Sequence, residues 1–305
     1  MSGPLLIAYD GSNDAAHAIE CAGRLLAPKR AIVVHSFLGL SQMMLRSNVA
    51  VEDLDGPLAE AVEDFDAADA EEAERVAAEG AEVALAAGLQ AEPRVVAQRG
   101  KAWQALIAAA AKHQAAVIVT GARERARPAA PLGSVSHGLA THSSVPLLVV
   151  PTNDKVDQSN GVVVLSYDGS DHAKNAIEQA GHLLAERSAL VLNVWQSWVS
   201  KIPAHLRGMA REFDEIAAGL SADCADEGAG LAAAAGFDSK SFSVPSRRSP
   251  WHAMLGAARQ HEASIVVVGS HSPSESSVTP VGTATAVAHH AECPVLIVSS
   301  GHNWS

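Results

Sequence analysis

Cysteine is nearly absent from this 305-residue chain: only Cys21, Cys224 and Cys293 occur, too few and too scattered for a disulfide framework or a metal cage. A reduced cytoplasm is the expected setting. No apolar run approaches the ~20 residues that span a bilayer, and the opening MSGPLLIAYD lacks a basic stretch ahead of its apolar residues, so neither a membrane helix nor a secretory leader is expected. There is no basic stripe to follow a phosphate backbone, which argues against DNA or RNA as ligand. The chain also lacks a GxxxxGK[ST] loop, a GxGxxG turn after its first apolar run, an HExxH pair and paired CxxC motifs. His289 and His290 are adjacent, so on a helix they diverge by ~100° and chelate poorly. Ser134, Ser136 and His137 lie close together, but no carboxylate is placed to complete a triad.

What is present is a well-supplied core: 48% hydrophobic against 18% charged residues. The net charge of −12 is concentrated. Between Glu52 and Glu82, thirteen acidic residues stand against one basic residue, Arg75, so the rest of the chain is neutral. This block follows Asp55-Gly56-Pro57, a helix entry, and Ala59, Val62, Phe65, Val76, Ala77 and Leu85 recur at helical spacing as its expected apolar face. A solvated outer helix is the plain reading; a contact surface for a basic partner is the other.

The chain repeats itself. Tyr9-Asp10-Gly11-Ser12 returns verbatim as Tyr167-Asp168-Gly169-Ser170, an offset of 158. The segment WQALIAAAAKHQAAVIVTGA from Trp103 pairs with WHAMLGAARQHEASIVVVGS from Trp251 at an offset of 148, so ten residues are missing from the second copy between these anchors. Polar residues 153–160 read as a linker between domains 1–152 and 161–300. Short Val/Ile/Leu runs predict strands at 4–9, 31–37, 93–97, 116–120 and 146–150, then at 162–167, 189–195, 240–244, 264–268 and 294–298. Helical stretches such as 13–26 and 101–112 lie between them. The expected fold is α/β: two tandem doubly wound, Rossmann-like domains, each with a five-stranded parallel sheet and helices on both faces. Ligands in such sheets sit beyond the carboxyl ends of the strands.

Asp10 and Asp168 close the first strand of each copy. A carboxylate there either accepts hydrogen bonds from a ligand or caps the following helix, and spacing leaves both open. The fourth strands end at Gly121 and Gly269, and Gly133-Ser134 and Gly282-Thr283 follow at the start of a further helix. Glycine lets backbone approach a phosphate, and a helix N-terminus favours an anion; an ordinary helix cap is the competing reading.

Together these residues resemble the universal stress protein family in a tandem two-domain form, over nearly the whole chain. Nucleotide-binding members carry G-x-x-G, nine residues, then G-[S/T]. The second copy reads Gly269-Ser270-His271-Ser272, nine residues, Gly282-Thr283; the first reads Gly121-Ala122-Arg123-Glu124, eight residues, Gly133-Ser134-Val135. Ser272 and Glu124 therefore replace the second glycine, and Arg123, Arg125 and Arg127 surround the carboxylate that would repel a triphosphate. The resemblance implies binding of ATP, an adenine nucleotide, with Mg2+, and regulation through conformation rather than fast catalysis. It places backbone of Ser36 and Val194 beside the adenine, Asp10 and Asp168 on the adenine or ribose, and Gly121, Gly133, Ser134, Val135, Gly269, Ser272, Gly282 and Thr283 around the phosphates. It also implies that the last strands, Leu147–Val150 and Val295–Val298, pair as an internal pseudo-dimer, with a homodimer as a further state. The alternative is a scaffold of the same fold that binds no nucleotide, with the acidic helix 52–82 as its contact surface.

Overall fold

The computed structural model describes residues 3–49, 51–122, 132–152, 161–184, 187–199, 202–203, 205, 207–270 and 282–299. All ten predicted strands are present. They are β1 (Leu5–Ala8), β2 (Arg30–Phe37), β3 (Gln90–Ala97), β4 (Val117–Gly121), β5 (Leu147–Val150), β6 (Val163–Ser166), β7 (Ser188–Gln196), β8 (Asp238–Ser246), β9 (Ile265–Ser270) and β10 (Val295–Ser299). The helices are α1 (Asn13–Leu25), α2 (Leu40–Arg46), α3 (Gly56–Ala86), α4 (Ala102–Lys112), α5 (Ser134–His142), α6 (Asp171–Leu184), α7 (Arg207–Ala234), α8 (Pro250–Gln260) and α9 (Thr283–His290). The chain divides into two compact units, residues 1–24 with 28–139, and residues 25–27 with 140–305.

In the first unit four parallel strands lie in the order β3-β2-β1-β4. β1 and β4 are buried along almost their whole length, as continuous Val/Ile/Leu runs require, whereas β3 at the edge is half exposed and carries Pro93 and Arg94. The edge position also explains why β3 begins three residues before its apolar run: Gln90, Ala91 and Glu92 pair with Arg30, Ala31 and Ile32 although they offer little to a core.

The second unit has the order β5-β10-β9-β6-β7-β8. Five of these strands are parallel, and β10 runs antiparallel to β5 with Val295, Leu296 and Ile297 opposite Val149, Leu148 and Leu147. The expected pairing of the two last strands is thus met inside this unit.

Local sequence accounts for the helices. Ser12 caps α1 by accepting from Ala15 N–H at 3.1 Å, and Ser170 caps α6 through Ala173 N–H at 3.2 Å. α4 is alanine-rich, and Gln104 reaches back to accept from Lys101 N–H at 2.9 Å. α3 and α7 lie against the outer pairs of strands. Their seats are set by Gly80 and Gly228, where an added Cβ would stand 2.6 Å from Tyr9 Cδ1 and from Tyr167 Cδ1 respectively.

The ten-residue difference between the copies falls after the second strand, where the first copy carries α2 and a 3₁₀ turn at Val51–Asp53 that have no counterpart among the described residues of the second. α2 is held by Ser41 N–H donating to Asp66 Oδ1 of α3 at 3.2 Å. One reading needs correction. Phe65 and Leu85, expected on the buried face of α3, are 62% and 56% exposed. The face that the sheet accepts is narrower, built on Val62, Ala73, Ala77, Gly80, Ala81 and Ala84. Small residues are needed there because the helix sits close to the strands.

Candidate nucleotide cleft

At the carboxyl ends of β1, β2 and β4 the first unit has a cleft of about 440 Å³. Its walls bring together Asp10, Ser36, Gly121 and Val135, four of the six residues expected in this copy. Gly133 and Ser134 directly precede Val135 at the start of α5. Their distance in sequence closes up because β1 pairs with both β2 and β4, so three strand ends and the α5 entrance converge.

Asp10 does not cap the following helix, the second of the two readings of its position. It is exposed, and its Oδ1 accepts from Ser12 N–H at 3.0 Å in a turn that Gly11 completes at φ 77. Ser12, not Asp10, supplies the cap of α1. One carboxylate oxygen is committed to the turn, and a carboxylate has a second to offer. The same turn recurs as Asp168 Oδ1 and Ser170 N–H at 3.0 Å, with Gly169 at φ 83.

Packing alone requires Gly121: a Cβ there would lie 3.1 Å from Asp14 O, and one on Gly269 would lie 2.9 Å from His172 O. Gly282 differs, since a Cβ on it would meet nothing within 4 Å. Gly133 N–H donates to Ala122 O at 2.8 Å, so the donors left at this entrance come from α5 itself, whose N-terminus favours an anion.

Several cleft residues carry no sequence signal of their own. Gln98 Nε2 donates to Ser36 O at 3.0 Å and to Ser36 Oγ at 3.3 Å, bridging the ends of β2 and β3. His35 donates from Nδ1 to Tyr9 O at 2.8 Å. Ser136 Oγ, buried in α5, donates to Gly121 O at 2.6 Å and holds the α5 entrance against β4. Burial, and then the carboxylates of Glu79 and Asp10, raise the Tyr9 phenol above its ordinary pKa.

The second unit places Asp168, Val194 and Gly269 at the ends of β6, β7 and β9, which are neighbours, and Gly282 and Thr283 exposed at the start of α9. Ser272, Glu124, Arg123, Arg125 and Arg127 lie outside the described residues. The chemistry at the strand ends differs between copies. Val194 and Ser246 stand where the first copy has Ser36 and Gln98, and Asn193 Nδ2 replaces the His35 ring as donor to Tyr167 O at 2.8 Å. Cys224, half-buried, lies against Asn193, and desolvation with Glu227 and Asp168 raises its thiol pKa, which suits a spectator rather than a nucleophile.

A repeated parallel α/β sheet, with a cleft at the strand ends of the first copy, defines a tandem, doubly wound α/β protein. The profile of the universal stress protein family matches residues 1–151 and again 160–299, and the chain belongs to that family. Among solved structures, a universal stress protein from Archaeoglobus fulgidus is similar over 99% of this chain and 100% of that one, with a TM-score of 0.67 and 20% identity. A putative universal stress protein from Pseudomonas aeruginosa follows at a TM-score of 0.53 and 14% identity, covering 98% and 93%. At these identities the likeness concerns the fold. Among curated proteins, no relative matches.

Proposed function

We propose that the first repeat binds an adenine nucleotide, ATP, in the β1/β2/β4 cleft, and that the protein regulates through this binding rather than through turnover. The carrying observation is the convergence of Asp10, Ser36, Gly121 and Val135 on one cleft of about 440 Å³, within the ~300–1,000 Å³ usual for small-ligand sites. In this reading the Ser36 carbonyl, with Gln98 beside it, meets the base. Asp10 accepts from ribose hydroxyls, and the N-terminus of α5 takes phosphate. Among the described residues no group of three His, Cys, Asp or Glu side chains forms a metal cage. In this reading Mg2+ enters with the phosphates, as it commonly does. No described base is paired with an arginine over the cleft, so hydrolysis is expected to be slow.

The second repeat keeps the Asp168 turn but has Val194 and Ser246 in place of Ser36 and Gln98, which leaves fewer polar groups for a base. Calorimetric titration of ATP with Mg2+ into nucleotide-stripped protein tests the reading. One equivalent should bind, and Asp10→Ala should abolish it while Asp168→Ala leaves it intact. Absence of both binding heat and thermal shift would show that the cleft takes no ATP.

A further inference from the structure

Four of the eleven large apolar side chains left exposed among the described residues share one helix. Along the first half of α7, Met209, Phe213, Ile216 and Leu220 are 54, 52, 61 and 66% exposed. Their spacing of four, three and four residues keeps them on a single row for about 16 Å of helix. A face about 115° around the helix is already used: Ala210, Ser221, Ala225, Gly228 and Ala232 are buried. The helix is therefore apolar on two sides, and among the described residues nothing covers the second.

Beside this row runs a groove of glycine. Gly208, Gly219 and Gly230 are eleven residues apart, which returns each to within about 20° of the last. A Cβ on any of them would meet nothing within 4 Å, unlike Gly228, which Tyr167 requires. Glycine weakens a helix relative to alanine, so three with no neighbour to accommodate are unexplained within the chain. They do give another helix's backbone a close approach.

Charge selects the occupant. Glu212 and Asp223, both exposed, lie within about 40° of Ile216 around the helix, whereas Arg207 and Arg211 lie about 140–180° away. A second copy packed antiparallel on this row would bring carboxylates against carboxylates. Both carboxylates lie on the same side of the row, where lysines or arginines along one edge of an apolar stripe would instead find partners. We propose that the outward face of α7 docks a basic amphipathic helix of a partner protein. The first repeat carries a smaller version: Phe65 on α3 stands fifteen residues before Gly80, as Phe213 does before Gly228, and is 62% exposed beside the acidic block.

The probe is a fluorescein-labelled amphipathic peptide of about 18 leucines and lysines, followed by anisotropy at about 150 mM NaCl against the full chain carrying Phe65→Ser. A matched peptide with glutamate for lysine is the control. The lysine peptide should bind and the glutamate peptide should not. Ile216→Ser with Leu220→Ser should weaken binding about tenfold, the loss expected from central apolar contacts. Gly219→Leu should weaken it while leaving the melting temperature unchanged or higher, a result that loss of fold cannot produce. The proposal is overturned if the serine variants bind as tightly as their parent, since attraction would then be net charge alone. It is also overturned if sedimentation finds a dimer that Ile216→Ser dissociates, since the face would then belong to a second copy.

Discussion

Gly80 and Gly228 decide how closely the long helices sit on their sheets, and their effect is calculable. With Tyr9 or Tyr167 carbons 2.6 Å from the new Cβ, Gly80→Ala and Gly228→Ala must push the ring or the helix aside. Each should cost about 1–3 kcal/mol, read as a lower denaturation midpoint, despite alanine's better helix propensity. The rings themselves are a second handle, because Tyr9 and Tyr167 are the only tyrosines. Both phenols are raised above their ordinary pKa, Tyr9 by burial and then Glu79 and Asp10, Tyr167 by burial and then its hydrogen bond to Glu227. Phenolate absorbance in the native protein should therefore appear only above the pH ~10 at which the unfolded chain titrates. A group held protonated by folding stabilises below its unfolded pKa, so stability should fall as pH rises past about 10. A native titration centred at 10 would contradict the burial of these rings. Residues of this kind divide by legibility. Asp10, Ser36, Gly121 and Val135 could be read because a repeated motif and the family pattern mark them. Gln98, His35 and Ser136 could not, since their roles arise only when the ends of β2, β3 and β4 meet α5.

At the scale of elements, the cap residues and the edge strands carry the testable content. Ser12→Ala removes the acceptor for Ala15 N–H at the buried start of α1 and should cost about 0.5–2 kcal/mol. Because the cap adjoins Asp10, nucleotide should restore part of the lost melting temperature by mass action if the cleft binds it. Strand identity was fully legible, since buried parallel strands are continuous apolar runs; strand length was not. β3 and β8 exceed their apolar stretches because a strand at the edge needs its backbone paired on only one side and can present polar side chains to water. α2 escaped notice because seven residues with no buried side chain leave no periodic signal. The long acidic helix is legible, yet Phe65 and Leu85 lie off the face that the sheet receives. Periodicity marks every apolar row on a helix, and it cannot tell which row the sheet receives.

The whole molecule poses the question of where the second unit begins. β5 belongs with residues 140–305 by its contacts, although it lies before the 153–160 segment that reads as the linker. Its four residues are at most 1% exposed, and Ser299 Oγ of β10 donates to Ser143 O at 2.8 Å just ahead of it. A fragment of residues 161–305 would retain β10 but expose its Val/Leu/Ile edge, an unpaired row of N–H and C=O groups beside apolar side chains. Residues 140–305 would keep that edge covered. Burial of a Val or Leu side chain contributes about 1.5–3 kcal/mol, so the four residues of β5 outweigh the ordering of so short a strand. The shorter fragment should therefore melt several degrees below the longer one, and light scattering should find it dimeric or larger. Antiparallel pairing of two β10 strands would replace the lost β5 in the same geometry. Equal behaviour of the two fragments would show that β5 is dispensable to the second unit, and that its place beside β10 follows from the first repeat alone.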